Sequence, residues 1–246
     1  GDEDFSDLKI GGSRDTPPPR SGEIDFADII GQEAAKRGIE IAAAGAHNVI
    51  MIGSPGAGKS SIAKALAGIL PPMTPEEARL TEKIWSVSGK TGSRASGSRP
   101  FRSPHHSASI AAIVGGGGGD NILPGEVSLS HNGVLFIDEF GQIPKSVIES
   151  LRGPLEDRKV TISRLRSSVE FPSSFMLVGA SNPCPCGYWG EGDRCRCTPS
   201  QRLAYLSRLS GPIMDRIDIH LWLHPVESSR IFTTARAESS ETVRKR

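Results

Sequence analysis

No apolar run in this sequence reaches the roughly 18 residues that a membrane-crossing helix requires. The most apolar stretch, Ile39–Ile52, is interrupted by Glu40, His47 and Asn48. No basic region followed by an apolar core stands at the N-terminus, so no secretory signal is read there. Charge of one sign is also lacking. A net charge of +1 gives no general attraction to nucleic acid, and any basic surface has to be local. Cysteine is scarce, with four residues that all fall between positions 184 and 197. Such a cluster in an intracellular chain reads as ligands before disulfides, and the expected compartment is the cytoplasm. The hydrophobic content of 37% is low, whereas 28 glycines and 18 prolines predict many loops around a modest core.

Residues 1–23 are acidic and then rich in Gly, Ser and Pro, ending near Pro17-Pro18-Pro19, and read as a flexible linker or tail. The globular part is expected to begin near Ile24. Helical spacing runs from Gln32 to Ala44, and Asn48–Ile52 is a short buried strand that ends in a glycine-rich loop. A helix over Lys59–Ile69 follows. Thr74-Pro75-Glu76-Glu77 combines a cap, a first-turn proline and a capping-box glutamate, predicting a helix to about Val87. Residues 88–104 and the glycine run 115–119 read as loops. Val134–Asp138, Phe175–Ala180 and Ile217–Leu223 are three further core strands, and Pro144–Glu156 is a helix. Val160–Arg166 and Ser168–Phe171 alternate as a hairpin. Thr198-Pro199-Ser200-Gln201 opens a helix to about Leu209, and another begins at Ser239. There is no internal repeat. Strands alternating with helices predict an α/β fold, a three-layer arrangement with a parallel central sheet.

Gly53-Ser54-Pro55-Gly56-Ala57-Gly58-Lys59-Ser60 fits G-x-x-x-x-G-K-S between a strand and a helix, the context that a phosphate loop needs. Its amides face phosphate oxygens with the helix dipole behind them. Lys59 is placed to bridge terminal phosphates, Ser60 to ligate Mg²⁺, and Ser54 to Gly58 together with Ser61 to complete the nucleotide-binding set. ATP and Mg²⁺ are the expected ligands. Asp138-Glu139 ends a buried strand. Asp138 suits the Mg²⁺ waters, and Glu139 suits activation of the attacking water. Asn182 follows another core strand, where it either reads the γ-phosphate or caps the turn before Pro183. Arg216, in Asp215-Arg216-Ile217-Asp218, either reaches a neighbouring subunit's nucleotide or pairs locally with Asp218.

These residues carry a resemblance. The chain resembles the AAA+ module of the Mg-chelatase-like ComM/YifB family. The matching stretches include Ile30–Arg37, the phosphate loop, Arg99–His106, Pro124–Leu129, the acidic strand, Pro154–Asp157, Asn182–Tyr188 and Leu209–Asp218. The resemblance implies an AAA+ core over residues 24–228 and the start of a truncated helical lid over 229–246. It implies a homohexameric ring with ATP between subunits, Ile30 and Gly31 beside the adenine, Asn182 as γ-phosphate sensor and Arg216 as a finger in trans. It further implies a DNA helicase or translocase acting in branch migration during natural transformation. The alternative is a magnesium-chelatase-like ATPase that remodels a protein partner. With most of the lid and the family's N-terminal domain absent, this piece is expected to hold ATP better than it hydrolyses it.

A ring translocase needs cations aimed into its pore. The hairpin at 158–171 offers Arg158, Lys159, Arg164 and Arg166. The insertion at 94–119 offers Arg94, Arg99, Arg102, His105 and His106. Contacts of this kind touch phosphates and carry no sequence information. The alternatives are a solvated hairpin and histidines packed at a subunit interface. Cys184-x-Cys186 and Cys195-x-Cys197 offer four thiols for a structural Zn²⁺, with a disulfide pair, reduced thiols or a redox site as competing readings.

Overall fold

The computed structural model describes residues 24–90, 97–117, 122–163, 168–209, 211–226 and 237–246. Its strands are β1 (Val49–Gly53), β2 (Phe101–Arg102), β3 (Gly115–Gly116), β4 (Leu123–Pro124), β5 (Val134–Ile137), β6 (Lys159–Ser163), β7 (Ser168–Pro172), β8 (Met176–Ser181) and β9 (Ile219–Leu223). Its α-helices are α1 (Glu33–Gly45), α2 (Lys59–Ile69), α3 (Pro75–Val87), α4 (Ile110–Val114), α5 (Glu126–Leu129), α6 (Lys145–Ser150), α7 (Arg152–Asp157), α8 (Pro199–Leu206) and α9 (Ser240–Lys245). Five strands pair in parallel in the order β2-β5-β8-β1-β9.

Successive residues of a strand face opposite sides of the sheet. Val49, Met51, Val134, Phe136, Met176 and Val178 join one core with Ile39 and Ala42 of α1 and Ile62 and Leu66 of α2. Ile50, Leu135, Ile137 and Leu177 join a second core with Val147 of α6, Leu155 of α7 and Tyr205 of α8. Strands covered on both faces have no polar side to show, which is why they read as unbroken apolar runs. The result is the expected three-layer α/β arrangement.

The structure corrects the sequence reading in three places. Residues 88–104 are not loop throughout, because Phe101 and Arg102 pair with Val134 and Leu135 as the fifth strand. Phe101 stacks on Phe136 with ring centroids 6.0 Å apart, a long-range contact that the Ser- and Arg-rich surroundings conceal. In the glycine run, Gly115 and Gly116 pair antiparallel with Pro124 and Leu123. The single helix expected over Pro144–Glu156 is broken at Leu151 into α6 and α7. Pro154 explains the break. It has no N–H for the Ser150 carbonyl, and its ring crowds that carbonyl.

The caps form as read. Thr74 Oγ1 accepts from Glu77 N–H at 3.2 Å while Glu77 Oε2 accepts from Thr74 N–H at 2.7 Å. Thr198 and Gln201 repeat this reciprocal pair. The hairpin β6–β7 packs Val160 and Phe171 into the protein. Helix α9 folds back on the core, with Ser240 Oγ accepting from Phe26 N–H at 2.7 Å and Val243 buried. Among the described residues no helix is long and apolar enough to cross a membrane.

His131 lies buried at the entry to β5, and its Nδ1 accepts from Ser174 N–H at 2.9 Å. Burial lowers its pKa below 6.5, against a weaker upward pull from Glu77. The unfolded chain therefore binds a proton that the folded chain refuses, and stability falls as pH drops below 6.5. The thermal midpoint should decline between about pH 7 and pH 5, and His131→Gln should flatten that decline. An unchanged pH profile in the variant would assign the decline to other groups.

Candidate nucleotide site and cysteine knuckle

Chain order and sheet order together bring the predicted residues to the carboxyl ends of β1, β5 and β8. The loop after β1 turns through Gly56 at φ +80° and Gly58 at φ +90°, angles that favour glycine. Helix α2 starts directly behind it at Lys59, which is 9% exposed. Lys59 Nζ donates to Gly53 O at 2.6 Å, to Ser54 O at 2.9 Å and to Asn182 Oδ1 at 3.3 Å. Burial lowers the Lys59 pKa, partly offset by the Asp138 carboxylate. Asn182 thus turns its side-chain oxygen to the lysine, while Ser181 Oγ donates to the Asn182 carbonyl at 3.1 Å. Ser54 Oγ is buried without a hydrogen-bond partner in the same loop. Buried hydroxyls are seldom left so, and an oxygen-rich ligand would satisfy it.

Asp138 is held from both sides. Ser60 Oγ donates to its Oδ2 at 2.9 Å, and Glu139 N–H donates to its Oδ1 at 2.8 Å. A hydroxyl and a carboxylate side by side are an oxygen donor set that suits Mg²⁺. Glu139 takes a left-handed φ of +50°, which turns it away from the strand. Its Oε2 lies 3.4 Å from His106 Nδ1. His106 in turn lies against His105, with ring centroids 4.0 Å apart. His105 Nδ1 accepts from Ser107 N–H at 3.3 Å and meets Ser107 Oγ at 2.7 Å. Sequence reasoning missed the His106–Glu139 contact, which spans the insertion and the acidic strand and leaves no local pattern.

At the expected adenine side, Gln32 Nε2 donates to Ala57 O at 3.1 Å and to His224 O at 2.6 Å. This ties the turn at Ile30 and Gly31 to the phosphate loop and to the end of β9. Within its own chain Arg216 does not make the local pair with Asp218. It pairs with Glu156 and donates to Pro212 O at 2.5 Å, not to Asp218. Asp218 instead accepts from Asn48 N–H at 2.9 Å and faces His47 at 3.4 Å. Asn48, read only as the start of a strand, links β8 and the Arg216 turn. Its Oδ1 accepts from Leu177 N–H and its Nδ2 donates to Arg216 O, both at 2.9 Å.

The insertion is drawn inward. Arg102 grips Glu126 with two bonds of 2.6 and 2.7 Å and lies 5.5 Å over the Trp85 ring. Arg99 donates to Pro71 O, Asn132 O and Glu77. Arg158 donates to Phe175 O at 3.0 Å. Lys159 pairs with Glu170 at 2.8 Å on an exposed face of the hairpin. Arg94, Arg164 and Arg166 lie outside the described residues.

The four cysteines converge so that all the sulfurs lie within 4.8 Å of one another. Cys184 Sγ is 3.4 Å from Cys186 Sγ and 3.9 Å from Cys195 Sγ, and Cys186 and Cys195 are 3.8 Å apart. A zinc–sulfur bond of about 2.3 Å in a tetrahedron gives sulfur separations of roughly 3.8 Å. A disulfide needs about 2.0 Å, and all four cysteines are free thiols. Tyr188 N–H, then Arg196 N–H, bring the Cys186 pKa down to about 6. At Cys197 a bond from the Cys186 backbone favours the thiolate. Burial and the neighbouring sulfurs outweigh it and push the pKa up to about 11. A divalent cation among the four sulfurs would hold them together as thiolates.

With β8 inserted between the phosphate-loop strand and the acidic strand, the architecture is that of an AAA+ ATPase. The sequence profile described as "Magnesium chelatase, subunit ChlI" matches residues 25–231, and the chain belongs to that family. It is 47% identical over 225 residues to the uncharacterized protein YifB of Salmonella typhimurium, covering 90% of this chain and 44% of YifB. It is 44% identical over 225 residues to the competence protein ComM of Haemophilus influenzae, covering 91% of this chain and 44% of ComM. The chain therefore spans less than half the length of these relatives. In structure it is similar to the complex between subunits BchI and BchD of magnesium chelatase. The TM-score is 0.55 at 21% identity, over 89% of this chain and 69% of that one.

Proposed function

We propose that residues 24–228 form the ATP-hydrolysing core of a ring-shaped motor that moves DNA, with residues 229–246 beginning a helical lid. The observation that carries the ATPase reading is the meeting of Lys59, Ser60, Asp138 and Asn182 at the carboxyl ends of the central strands. Lys59 holds the terminal phosphates, and Ser60 and Asp138 hold Mg²⁺. The metal supplies neutralisation of phosphate charge when bound. Asn182 orients the γ-phosphate, and Glu139 takes the proton of the attacking water at its carboxylate. Arg216 serves the site of the next subunit in a homohexamer, and Ile30 and Gly31 flank the base. The cysteine knuckle holds a structural Zn²⁺ that leaves no open coordination position.

Likeness to ComM, a competence protein, supports DNA as the partner. The β6–β7 hairpin presents Lys159 and flanks the stretch that contains Arg164 and Arg166. DNA should therefore raise ATP turnover by the full-length protein at low salt. Because phosphate contacts release counterions, the stimulation should fade between about 50 and 200 mM salt. Turnover indifferent to DNA at low salt would reject the motor reading. The chelatase profile supports the alternative of a chelatase-like ATPase acting on a protein partner. A pulldown that yields a chelatase-type protein and no DNA would select that reading.

A further inference from the structure

The cysteine knuckle lies directly on the phosphate loop. Gly187, immediately after Cys186, has φ +87°, and a Cβ there would stand 2.8 Å from Pro55 Cδ and 3.0 Å from Pro55 Cγ. The same Cβ would lie 3.8 Å from Asn182 Cγ, so the knuckle backbone touches both the loop and the residue that binds Lys59. Cys184 is fully buried two residues after Asn182. On its other flank the knuckle reaches the edge strand, where Trp189 meets Trp222 edge-on with centroids 6.1 Å apart. Trp222 lies beside Ile52 in the strand that leads into the phosphate loop.

Regular structure does little to hold this segment. Between β8 and α8 the described residues contain one three-residue turn of 3₁₀ helix, Gly192–Arg194. Three backbone bonds, Gly187 N–H to Cys184 O, Glu191 N–H to Tyr188 O and Arg194 N–H to Glu191 O, close its turns at 3.0, 3.1 and 3.4 Å. The four sulfurs are its centre. The sheet fixes Asn182 at the end of β8, while whatever holds the sulfurs together bears on how Gly187 meets Pro55 and Asn182.

We propose that a zinc ion on Cys184, Cys186, Cys195 and Cys197 is a positioning element for the nucleotide site, so that zinc and ATP each tighten the binding of the other. The proposal rests on the zinc and nucleotide readings above. Without the metal nothing bridges the four sulfurs, Gly187 leaves Pro55, and the loop loses its outer support. With ATP bound, the loop and Asn182 are ordered and the knuckle is held closed over its metal. Linkage makes the two effects equal in size.

The test uses a fluorescent ATP analogue with Mg²⁺ on reduced protein, before and after zinc removal by a chelator and after zinc is restored. A cleft of about 580 Å³ lined by Cys186, Tyr188, Asp193, Arg194 and Arg196 gives a chelator access to the knuckle. Nucleotide affinity should fall about 10-fold without zinc and recover on its return. In competition with a chromogenic chelator, saturating ATP should strengthen zinc binding by the same factor. Gly187→Ala, matched to wild type for measured zinc content, should bind nucleotide more weakly, because the added methyl meets Pro55 and the φ of +87° strains the turn after Cys186. Lys59→Ala should lose nucleotide and keep zinc, which separates the two sites.

Equal nucleotide affinity with and without zinc, at full zinc loading of the starting protein, would overturn the coupling and leave both sites standing. Absence of near-stoichiometric zinc would overturn the zinc reading and the coupling together. Failure of the zinc-loaded chain to bind nucleotide would overturn the nucleotide reading and the coupling together. Should zinc removal unfold the chain by circular dichroism, Gly187→Ala decides. Unchanged nucleotide affinity in that variant at full zinc content overturns the proposal.

Discussion

Replacing Glu139 by Gln should leave nucleotide affinity nearly unchanged and lower ATP hydrolysis by about 10²–10⁴-fold, the contribution expected of a positioned general base. The geometry separates Glu139 from binding. Both oxygens of Asp138 are committed, one to Ser60 and one to the Glu139 backbone, so Asp138 stays aimed at the metal position whatever side chain follows it. Glu139 bends away from the strand and meets His106 instead. Gln keeps the shape and loses only the ability to take a proton. A role confined to the His106 contact predicts a different result. That pair is half-exposed, with side chains 45% and 43% accessible, and is worth little. Phosphate release measured beside nucleotide titration discriminates, since hydrolysis that persists near wild-type rates would remove Glu139 from the mechanism.

What could be read in the sequence depended on how far apart the cooperating residues lie. The phosphate loop is eight consecutive residues between a strand and a helix, so its local chemistry is visible without a structure. The cysteines also lie close together, and their convergence follows from glycine turns within one short segment. Strands β1, β5 and β8 declared themselves because burial on both faces leaves apolar runs, whereas β9, at the sheet edge, alternates covered and exposed residues. Strand β2 did not, since two residues cannot show a pattern and its pairing with β5 is made across an intervening insertion. The break at Leu151 was legible in principle from Pro154, but an apolar periodicity running through it favoured one helix.

Charge was the least legible property. Arg99, Arg102 and Arg158 look alike in sequence to cations free for DNA, yet the fold spends them on Glu77, Glu126 and backbone carbonyls. An arginine beside an acid in sequence is not thereby its partner. Asp218 is two residues from Arg216 but accepts from the Asn48 backbone, because residues one or two apart in this turn do not face each other. His106 and Glu139 meet only because the insertion folds across the end of β5.

Arg216→Ala should reduce ATP turnover of the assembled protein by about 10³–10⁵-fold, the size of an arginine's effect on transferring phosphoryl charge. Within its own chain Arg216 pairs with Glu156, and its side chain is 26% accessible. If that pair were its whole purpose, its loss would cost no more than about 1 kcal/mol of stability and leave turnover intact. Glu156→Gln separates the two roles, because it frees the guanidinium without removing it and should preserve turnover. Complementation then locates the action. Arg216→Ala subunits retain a complete phosphate loop, whereas Lys59→Ala subunits retain the finger. Neither should hydrolyse ATP alone. Mixed, they should regain activity at those interfaces where an intact loop faces an intact Arg216. Recovery on mixing requires that the residue act across a subunit boundary. Mixtures as inactive as their components, with assembly confirmed by light scattering, would place Arg216 in the fold and outside the reaction.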